Sequence, residues 1–572
     1  MANIYGFKQY YLVDTRDAND NNDYNIGFLK YEDNRPQIVQ YNPDLTYNPA
    51  SQTLTVPNLT ANITPQKTTW SYSQQDQREG YGETHDWIHE HAISSLRASI
   101  NPEGTKSIKI SVMITCEFRD PGDPYQSMFY ITKNVNPDKG NQTIPLRSTN
   151  PPPDTERIYG LGIAPPTVSF HYNADSTLEV GRYIYIDDPP FNPTIPNELK
   201  YTAFFTNKYR RALILNRTLQ NNGHSEAGMS NIIVEEIDHP FEKTQIDDIY
   251  TITSGTPPAG ESNYWGEFTQ LTTSITPLSS SNKIKITICI MGEFASNATH
   301  NTMFFLKRTI GTGALQQIAY LRSSQTTYSI RGISTATISY HLDAITTPEA
   351  LFIEYIDEPN TTDIVSYTPI MEVTASNIGF RLNSVWNTSD VDEERGMSSV
   401  LLEEYTGKKN FNSKTTDSII TYTPSGLQVY TDIPVLSVSI TPSSNKSYIK
   451  ISAMIVGEFS NQNNPFNSLF ALKCSGGSRG TVILSANTYD QRFISEKISG
   501  ITAPAISYHL ESVSTLEACN LQFIDYVEDT STLTYTVVFI LGIYTGSFKL
   551  NSTTNGYEVG LSNILVEEMP SV

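Results

Sequence analysis

The chain has 572 residues, of which 17 % are charged and 11 % aromatic, and its formal net charge is −21. Many aromatic residues at low charge density exclude a disordered chain, which is poor in aromatics and highly charged. The acidic balance argues against nucleic acid as a partner, because neutralising phosphates requires an excess of Lys and Arg. A length of this size predicts about three or four domains.

The first 70 residues are rich in Asn, Asp, Pro and Tyr and have no counterpart later in the chain. We expect residues 1–70 to form an extended N-terminal anchor segment rather than a core. Residues 1–23 lack the apolar stretch of a signal peptide. No stretch reaches the ~18 apolar residues of a membrane helix, so we expect no membrane partner.

Four cysteines are spread along the chain without close pairs or metal-type spacing. They are Cys116, Cys289, Cys474 and Cys519. This pattern argues against a disulfide framework and against a zinc site.

Beyond residue 70 the sequence repeats itself three times. Each repeat closes on a Gly-(Met/Leu)-Ser motif that runs into an apolar stretch and ends in Glu-Glu, at Gly228–Glu236, Gly396–Glu404 and Gly560–Glu568. The spacing is that of a whole domain, not of a solenoid unit. We therefore predict three homologous domains at residues 71–238, 239–406 and 407–572, called the first, second and third repeat below.

Three further motifs recur in the same order in each repeat. A Ser-aromatic-His motif ends at His171, His341 and His509. A Tyr-Thr pair begins at Tyr201, Tyr367 and Tyr535. An apolar residue followed by Asn occurs at Asn216, Asn383 and Asn551.

Each repeat also has a segment in which apolar and polar residues alternate, as expected of a half-buried strand. The segments contain Lys109, Lys285 and Lys450, which we expect on the outer face of a sheet; an ion pair between subunits is the alternative. About eight such strands in roughly 165 residues, without helical periodicity, predict an all-β chain of three tandem jelly-roll-like antiparallel β-sandwich domains. An immunoglobulin-like sandwich is the alternative, but such domains are shorter.

The pattern His-x7-Glu-x7-Asp occurs in every repeat. Its outer members are His171 and Asp187, His341 and Asp357, and His509 and Asp525. These residue types can bind a metal or transfer protons, but three copies in one chain favour a structural, hydrogen-bonded strand pair. We therefore expect these six positions to be structural and predict no catalytic, cofactor-binding or metal site.

The Glu-Glu endings are paired carboxylates in sequence only, because neighbours on a strand face opposite sides. We expect one to face solvent and the other to pair locally. No phosphate-binding loop, dinucleotide fingerprint, nucleophile elbow or metalloprotease helix occurs. The sequence thus predicts a protein that is not an enzyme and has no cofactor.

Five short motifs of the second repeat together resemble β-sandwich modules of virion proteins. They are Ser274–Pro277, Gly292–Phe294, Ile356-Asp357, Tyr367-Thr368 and Leu382-Asn383. Such modules occur in fibre and capsid-associated proteins of large DNA viruses and in phage tail fibres, and Tyr47–Val56 is similar to segments of the same fibre-like proteins. The first repeat departs from the pattern, with Cys116 in place of Gly and Asn101 in place of Thr.

The resemblance implies assembly into a virus particle, commonly through trimers of jelly rolls. We accordingly expect a structural virion protein, made in the host cytoplasm, that contacts other capsid proteins as a minor capsid, spike or fibre component. The chain would form a homotrimer or a pseudo-trimer of its own repeats. The alternative function is a lectin-like attachment protein that binds host surface glycans.

Overall fold

The computed structural model describes residues 10–12, 24–32, 35–48, 53–55, 68–73, 77–79, 90–102, 106–118, 127–135, 142–149, 160–166, 178–188, 199–207, 213–218, 225–295, 301–313, 316–335, 348–386, 394–407, 410–460, 468–486, 497–504, 516–542 and 545–569. The chain divides into two compact units, Met1–Pro65 and Gln66–Val572. Because the larger unit is not divided further, the boundaries between the repeats stay a prediction.

The described residues of the N-terminal unit form four strands, β1 (Tyr10–Leu12), β2 (Tyr24–Glu32), β3 (Arg35–Asn48) and β4 (Thr53–Thr55). They pair antiparallel in chain order. The segment expected to be an extended anchor therefore includes a sheet of its own.

The described residues of the larger unit lie mostly in strands, with one short 3-10 turn among them at Thr269–Leu271. The first repeat has β5 (Thr68–Ser73), β6 (Gln77–Glu79), β7 (Glu90–Ile100), β8 (Ile108–Phe118), β9 (Ser127–Val135), β10 (Gln142–Leu146), β11 (Glu179–Asp187), β12 (Leu199–Asn207), β13 (Leu213–Leu215), β14 (Ser225–Ala227) and β15 (Ser230–Glu236). The second has β16 (Phe241–Ile246), β17 (Tyr250–Thr253), β18 (Tyr264–Glu267), β19 (Thr273–Ile275), β20 (Lys283–Phe294), β21 (Thr302–Ile310), β22 (Gln317–Leu321), β23 (Ile330–Arg331), β24 (Glu349–Asp357), β25 (Val365–Val373), β26 (Gly379–Leu382) and β27 (Ser398–Tyr405). The third has β28 (Phe411–Thr416), β29 (Ile420–Tyr422), β30 (Thr431–Ile440), β31 (Ser447–Phe459), β32 (Ser468–Gly476), β33 (Val482–Leu484), β34 (Lys497–Ser499), β35 (Glu517–Val527), β36 (Leu533–Leu541), β37 (Phe548–Leu550), β38 (Glu558–Val559) and β39 (Ser562–Met569).

The same pair of antiparallel sheets occurs three times. In the second repeat one sheet has the order β24-β20-β27-β16, with β26 and β17 continuing the last two strands, and the other has the order β18-β25-β21-β22. The equivalent strands of the other repeats pair in the same order. Successive strands mostly cross from one sheet to the other, as in a jelly roll. The predicted all-β sandwich class is confirmed.

The central strands β8, β20 and β31 differ from the prediction in their burial. They are expected to be half-buried, yet nearly every described side chain on them is buried. One face packs inside its own sandwich, and the other packs against a neighbouring repeat. Within the described residues no helix is long and apolar enough to cross a membrane.

Candidate functional site: the contacts between repeats

Each of the three large apolar cores among the described residues contains side chains from two repeats. The first repeat contributes Met113, Leu178, Val180 and Met229 to the core of the third. The third contributes Met454, Val456, Leu516 and Leu561 to the core of the second. The second contributes Cys289, Phe352 and Leu401 to the core of the first. The contributions run in one direction around a cycle, so the three repeats pack on one another as subunits of a ring would.

Backbone hydrogen bonds follow the same cycle. Strand β14 pairs parallel with β34, β23 pairs parallel with β38, and Leu161 forms a parallel bridge with Arg395. At each contact the residue after the motif glycine donates its N–H to an isoleucine carbonyl of the neighbouring repeat. The three bonds are Met229 to Ile501 at 2.9 Å, Leu561 to Ile333 at 2.9 Å, and Met397 to Ile163 at 3.0 Å.

The motif glycine is required by this close approach. A Cβ on Gly396 would lie 2.8 Å from the Ile163 carbonyl oxygen and 2.6 Å from Sδ of Met291. A Cβ on Gly560 would lie 3.0 Å from the Ile333 oxygen. Such distances are shorter than van der Waals contact, so only glycine fits between its own central strand and the next repeat.

The serine of the motif and the repeated asparagine form one unit inside each repeat. The asparagines have positive φ of 65°, 63° and 61° at Asn216, Asn383 and Asn551. The serine hydroxyls donate to their Oδ1 atoms at 2.6, 2.6 and 2.5 Å, from Ser230, Ser398 and Ser562 respectively. Asparagine tolerates the left-handed conformation better than most residues, so these two motifs fix the local backbone at the start of the last strand.

The three repeated lysines do not lie on an outer sheet face, and that prediction is wrong. Lys109, Lys285 and Lys450 are 3 %, 1 % and 2 % exposed. Each reaches the first glutamate of the Glu-Glu pair of another repeat. The Nζ–Oε distances are 2.6 Å for Lys109–Glu403, 3.4 Å for Lys285–Glu567 and 2.6 Å for Lys450–Glu235. The alternative is an ion pair between subunits. The structure has such ion pairs, but between repeats of one chain.

The pairing also explains the burial of these glutamates, which the sequence does not predict. The first acid of each Glu-Glu pair is expected either in solvent or paired within its own repeat. It lies in the contact between repeats and reaches a lysine of the neighbouring repeat; Glu235 lies between Lys450 of the neighbour at 2.6 Å and Lys109 of its own repeat at 3.4 Å. The second acid does pair locally: Glu404 accepts hydrogen bonds from the Leu278 N–H at 2.7 Å and the Asn282 amide at 2.5 Å.

Electrostatics favour the charged forms in part of this cluster. Burial by itself would lower the pKa of Lys109, but Glu235 and Glu403 raise it above its ordinary value. Burial would raise the pKa of Glu403, but Lys109 holds it well below its ordinary value. Two members of the other pairs are shifted toward their neutral forms. Burial lowers the pKa of Lys450 to about 8, against the attraction of Glu235, and burial raises the pKa of Glu567 to about 7, against the attraction of Lys285.

Other polar groups complete the cluster differently in each contact. The Arg182 guanidinium lies 4.6 Å from the centre of the Phe352 ring, between the first and second repeats. Tyr405 donates a hydrogen bond to Glu567, between the second and third. Four cations and four carboxylates thereby meet within the apolar packing, since Glu354 also lies 3.3 Å from Lys285. Removing one member would leave a buried charge uncompensated.

The aspartates of the His-x7-Glu-x7-Asp pattern lie elsewhere, and each joins a recurring tyrosine. The hydroxyls of Tyr201, Tyr367 and Tyr535 donate to Asp187, Asp357 and Asp525, at 2.7 Å in all three cases. A cation of the same repeat contacts each carboxylate: Lys133, Arg308 or Arg479. His171, His341 and His509 lie outside the described residues, so the predicted His–Asp contact stays a prediction.

Sequence reasoning missed a second set of buried acids near the contacts. Glu226 and Glu558 stand two residues before the motif glycine, and their carboxylates accept the N–H groups of Leu178 and Leu516 at 3.1 and 3.0 Å. Burial raises the pKa of both well above the usual 4.5. The signal was present, because an acid recurs at this position in all three repeats.

The part of the chain that the structure describes has no metal-binding cluster and includes two open clefts. No group of three or more His, Cys, Asp or Glu there is placed to hold a metal ion. Two open clefts, of about 290 and 280 Å³, are lined by residues such as Thr423, Leu427 and Ser547 in one case and Gln317 and Asp363 in the other. The four cysteines are buried and form no disulfide.

Comparison with protein families and with curated sequences finds no relative. No family model matches the chain, and no curated protein is similar to it in sequence. The contacts between the repeats are therefore the main structural evidence that bears on function.

Proposed function

We propose that this chain is a structural component of a virus particle, a minor capsid, spike or fibre protein, and that its three repeats work there as a permanently linked trimer. The observation that carries the proposal is the closed cycle of buried ion pairs and shared apolar cores among three copies of one sandwich. The motifs that resemble virion modules, such as Gly292–Phe294, support the proposal that the protein belongs to a virus particle.

Covalent linkage gives such an assembly a physical advantage. A homotrimer dissociates on dilution, whereas linked units meet at effective concentrations of about mM. The linkers here are short: residues 237–240 separate β15 from β16, and residues 406–410 separate β27 from β28. A head built in this way would keep one rigid surface for contacts with other particle proteins.

The hydrogen bonds and ion pairs of the recurring aspartates support a non-enzymatic role. The recurring carboxylates Asp187, Asp357 and Asp525 are held by tyrosine hydroxyls and cations of their own repeats. Groups held in this way stabilise the sandwich rather than face a substrate. We therefore propose that the protein acts through its surface.

The test is the composition of purified particles of the virus that encodes the chain. We expect the full chain in fixed proportion to the main shell protein, retained through a high-salt wash. A variant that lacks residues 1–65 should fold with an unchanged unfolding midpoint but stay outside the particle, while the tagged full chain enters it. Absence of the full chain from particles overturns the proposal.

Glycan binding makes a different prediction for the same protein. An attachment lectin would show saturable binding on a glycan array, lost when an exposed aromatic residue such as Tyr557, 53 % exposed, is replaced by Ala. That outcome would support the attachment function in place of a purely structural one. A protein that is only a structural component would show no binding on the glycan array.

A further inference from the structure

The three contacts between repeats share one backbone frame but differ at two equivalent side-chain positions. The first position lies on the strand that flanks the central strand, at Ile184, Glu354 and Gln522, opposite Ser111, Thr287 and Ser452. The second lies on the last strand of the repeat, at Asn231, Ser399 and Asn563, opposite Met113, Cys289 and Met454. In two of the contacts, the first position of one repeat forms hydrogen bonds with the second position of the next.

Where the third repeat meets the first, two amides pair with each other. Gln522 Nε2 donates to Asn231 Oδ1 at 2.7 Å, and Asn231 Nδ2 donates to the backbone carbonyl oxygen of Gln522 at 2.9 Å. Both residues are buried, at 0 % and 1 % exposure. This contact has no covalent linker, so it closes the cycle by side chains and backbone pairing alone.

The other two contacts have different side-chain interactions at the equivalent positions. Between the second and third repeats, Asn563 donates to the Glu354 carbonyl oxygen and Ser452 donates to the Glu354 carboxylate. Between the first and second, Ile184 belongs to an apolar cluster with Cys289, Phe352 and Leu401 of the neighbour. The smaller Ser399 stands there in place of an asparagine.

We infer that each repeat recognises one particular neighbour on each side, so that the three repeats close in a single cyclic order: first, second, third and back to the first. The buried Lys–Glu pairs use the same two residue types in all three contacts, so they do not set this order. The two variable positions can set it. The only other cyclic order brings Ile184 against Asn563 and Gln522 against Ser399, and it breaks the side-chain hydrogen bond between Gln522 and Asn231. Each buried polar atom that loses its partner lowers the equilibrium constant for closure at least about fivefold.

Two rearranged full-length chains test the inference, which does not depend on the proposed function. A permuted chain places residues 1–65 before the order second, third, first, and keeps the cyclic order. A transposed chain places them before the order first, third, second, and breaks it. Both use the native sequence 406–410 at every junction. We expect the permuted chain to keep the thermal unfolding midpoint and protease resistance of the native chain, and the transposed chain to lose both.

A compensating variant distinguishes the effect of the two variable side-chain positions from the effect of strain at the new junctions. In the transposed chain, Ile184→Gln and Ser399→Asn give every contact a matched polar pair, since Glu354 then meets Asn231. We expect this double substitution to restore most of the lost midpoint. The inference is overturned if the transposed and permuted chains are equally stable, or if the double substitution restores nothing.

Discussion

Replacing Lys109 by Met tests the buried ion pairs most sharply. Methionine has nearly the same length as lysine and fills the space, so the change removes the charge while keeping the packing. In the native chain the Lys109 Nζ lies 2.6 Å from Glu403 and 3.4 Å from Glu235, and the side chain is almost fully buried. Breaking a buried pair from one side costs about 3–5 kcal/mol, because the partner charge stays buried.

The remaining contacts place the expected loss near the lower end of that range. Glu235 keeps Lys450 at 2.6 Å, and Glu403 keeps His239 at 3.2 Å. We expect a loss of about 3 kcal/mol in the free energy of unfolding, measured by urea denaturation. In a unit of this size the same loss lowers the thermal midpoint by only about 3 °C, since unfolding entropy grows with chain length.

A matched control and a double variant test whether burial of the ion pair determines the loss of stability. Lys307 pairs with Glu267 at 2.5 Å, but the two side chains are 22 % and 40 % exposed, so Lys307→Met should cost at most about 1 kcal/mol. Adding Glu403→Gln to Lys109→Met removes the stranded charge and should recover part of the loss. If Lys109→Met costs no more than Lys307→Met, the buried pairs do not stabilise the cycle.

Three further predictions concern residues that recur in the repeats. Gly396→Ala forces a Cβ against the neighbouring repeat and should cost about 1–3 kcal/mol in urea denaturation, whereas Gly407→Ala, where nothing lies within 4 Å, should be neutral. Glu517, the middle residue of the His-x7-Glu-x7-Asp pattern in the third repeat, has a pKa raised well above 4.5 by burial. The folded state then holds a proton that the unfolded state loses, so stability falls as pH rises above about 4.5, and Glu517→Gln should flatten that slope. Tyr367→Phe removes a hydrogen bond to a buried carboxylate and should cost about 1.5–3 kcal/mol, while Tyr557→Phe at an exposed position should cost nothing measurable.

Each of these predictions has an outcome that contradicts it. Equal stability of the two glycine variants would mean that the repeats do not approach as closely as described. An unchanged pH slope in the Glu517 variant would mean that its carboxyl is ionised in the folded state. A Tyr367 variant as stable as wild type would show that the tyrosine hydroxyl adds nothing to the sandwich.

The sandwich class follows from the sequence because strand periodicity is local. Alternation around Lys285 predicts a strand over Ile284–Ile290, and these residues lie within β20, which continues to Phe294. The recurrence of Tyr367 and Asp357 at fixed spacing also reflects real structure, since their side chains meet at 2.7 Å. These features involve neighbouring strands of one repeat.

The site could not be predicted in the same way, because its partners are distant in sequence. Lys109 and Glu403 are 294 residues apart, and alternation identifies only the face that packs within a repeat. A lysine among apolar residues therefore indicates an exposed face unless the neighbouring repeat is known. The pairing of Asn231 with Gln522, 291 residues apart, was hidden for the same reason.

The most direct test of the closed cycle is a disulfide across the contact that has no linker. Ala227 and Ser499 are paired residues of the parallel strands β14 and β34, and paired strands lie within the Cα distance that a disulfide requires. In the full chain, Ala227→Cys with Ser499→Cys should oxidise rapidly to an intrachain disulfide in a monomer, while Ala227→Cys with Ser437→Cys should not. Free thiols, or disulfide-linked dimers in their place, would contradict the closed cycle.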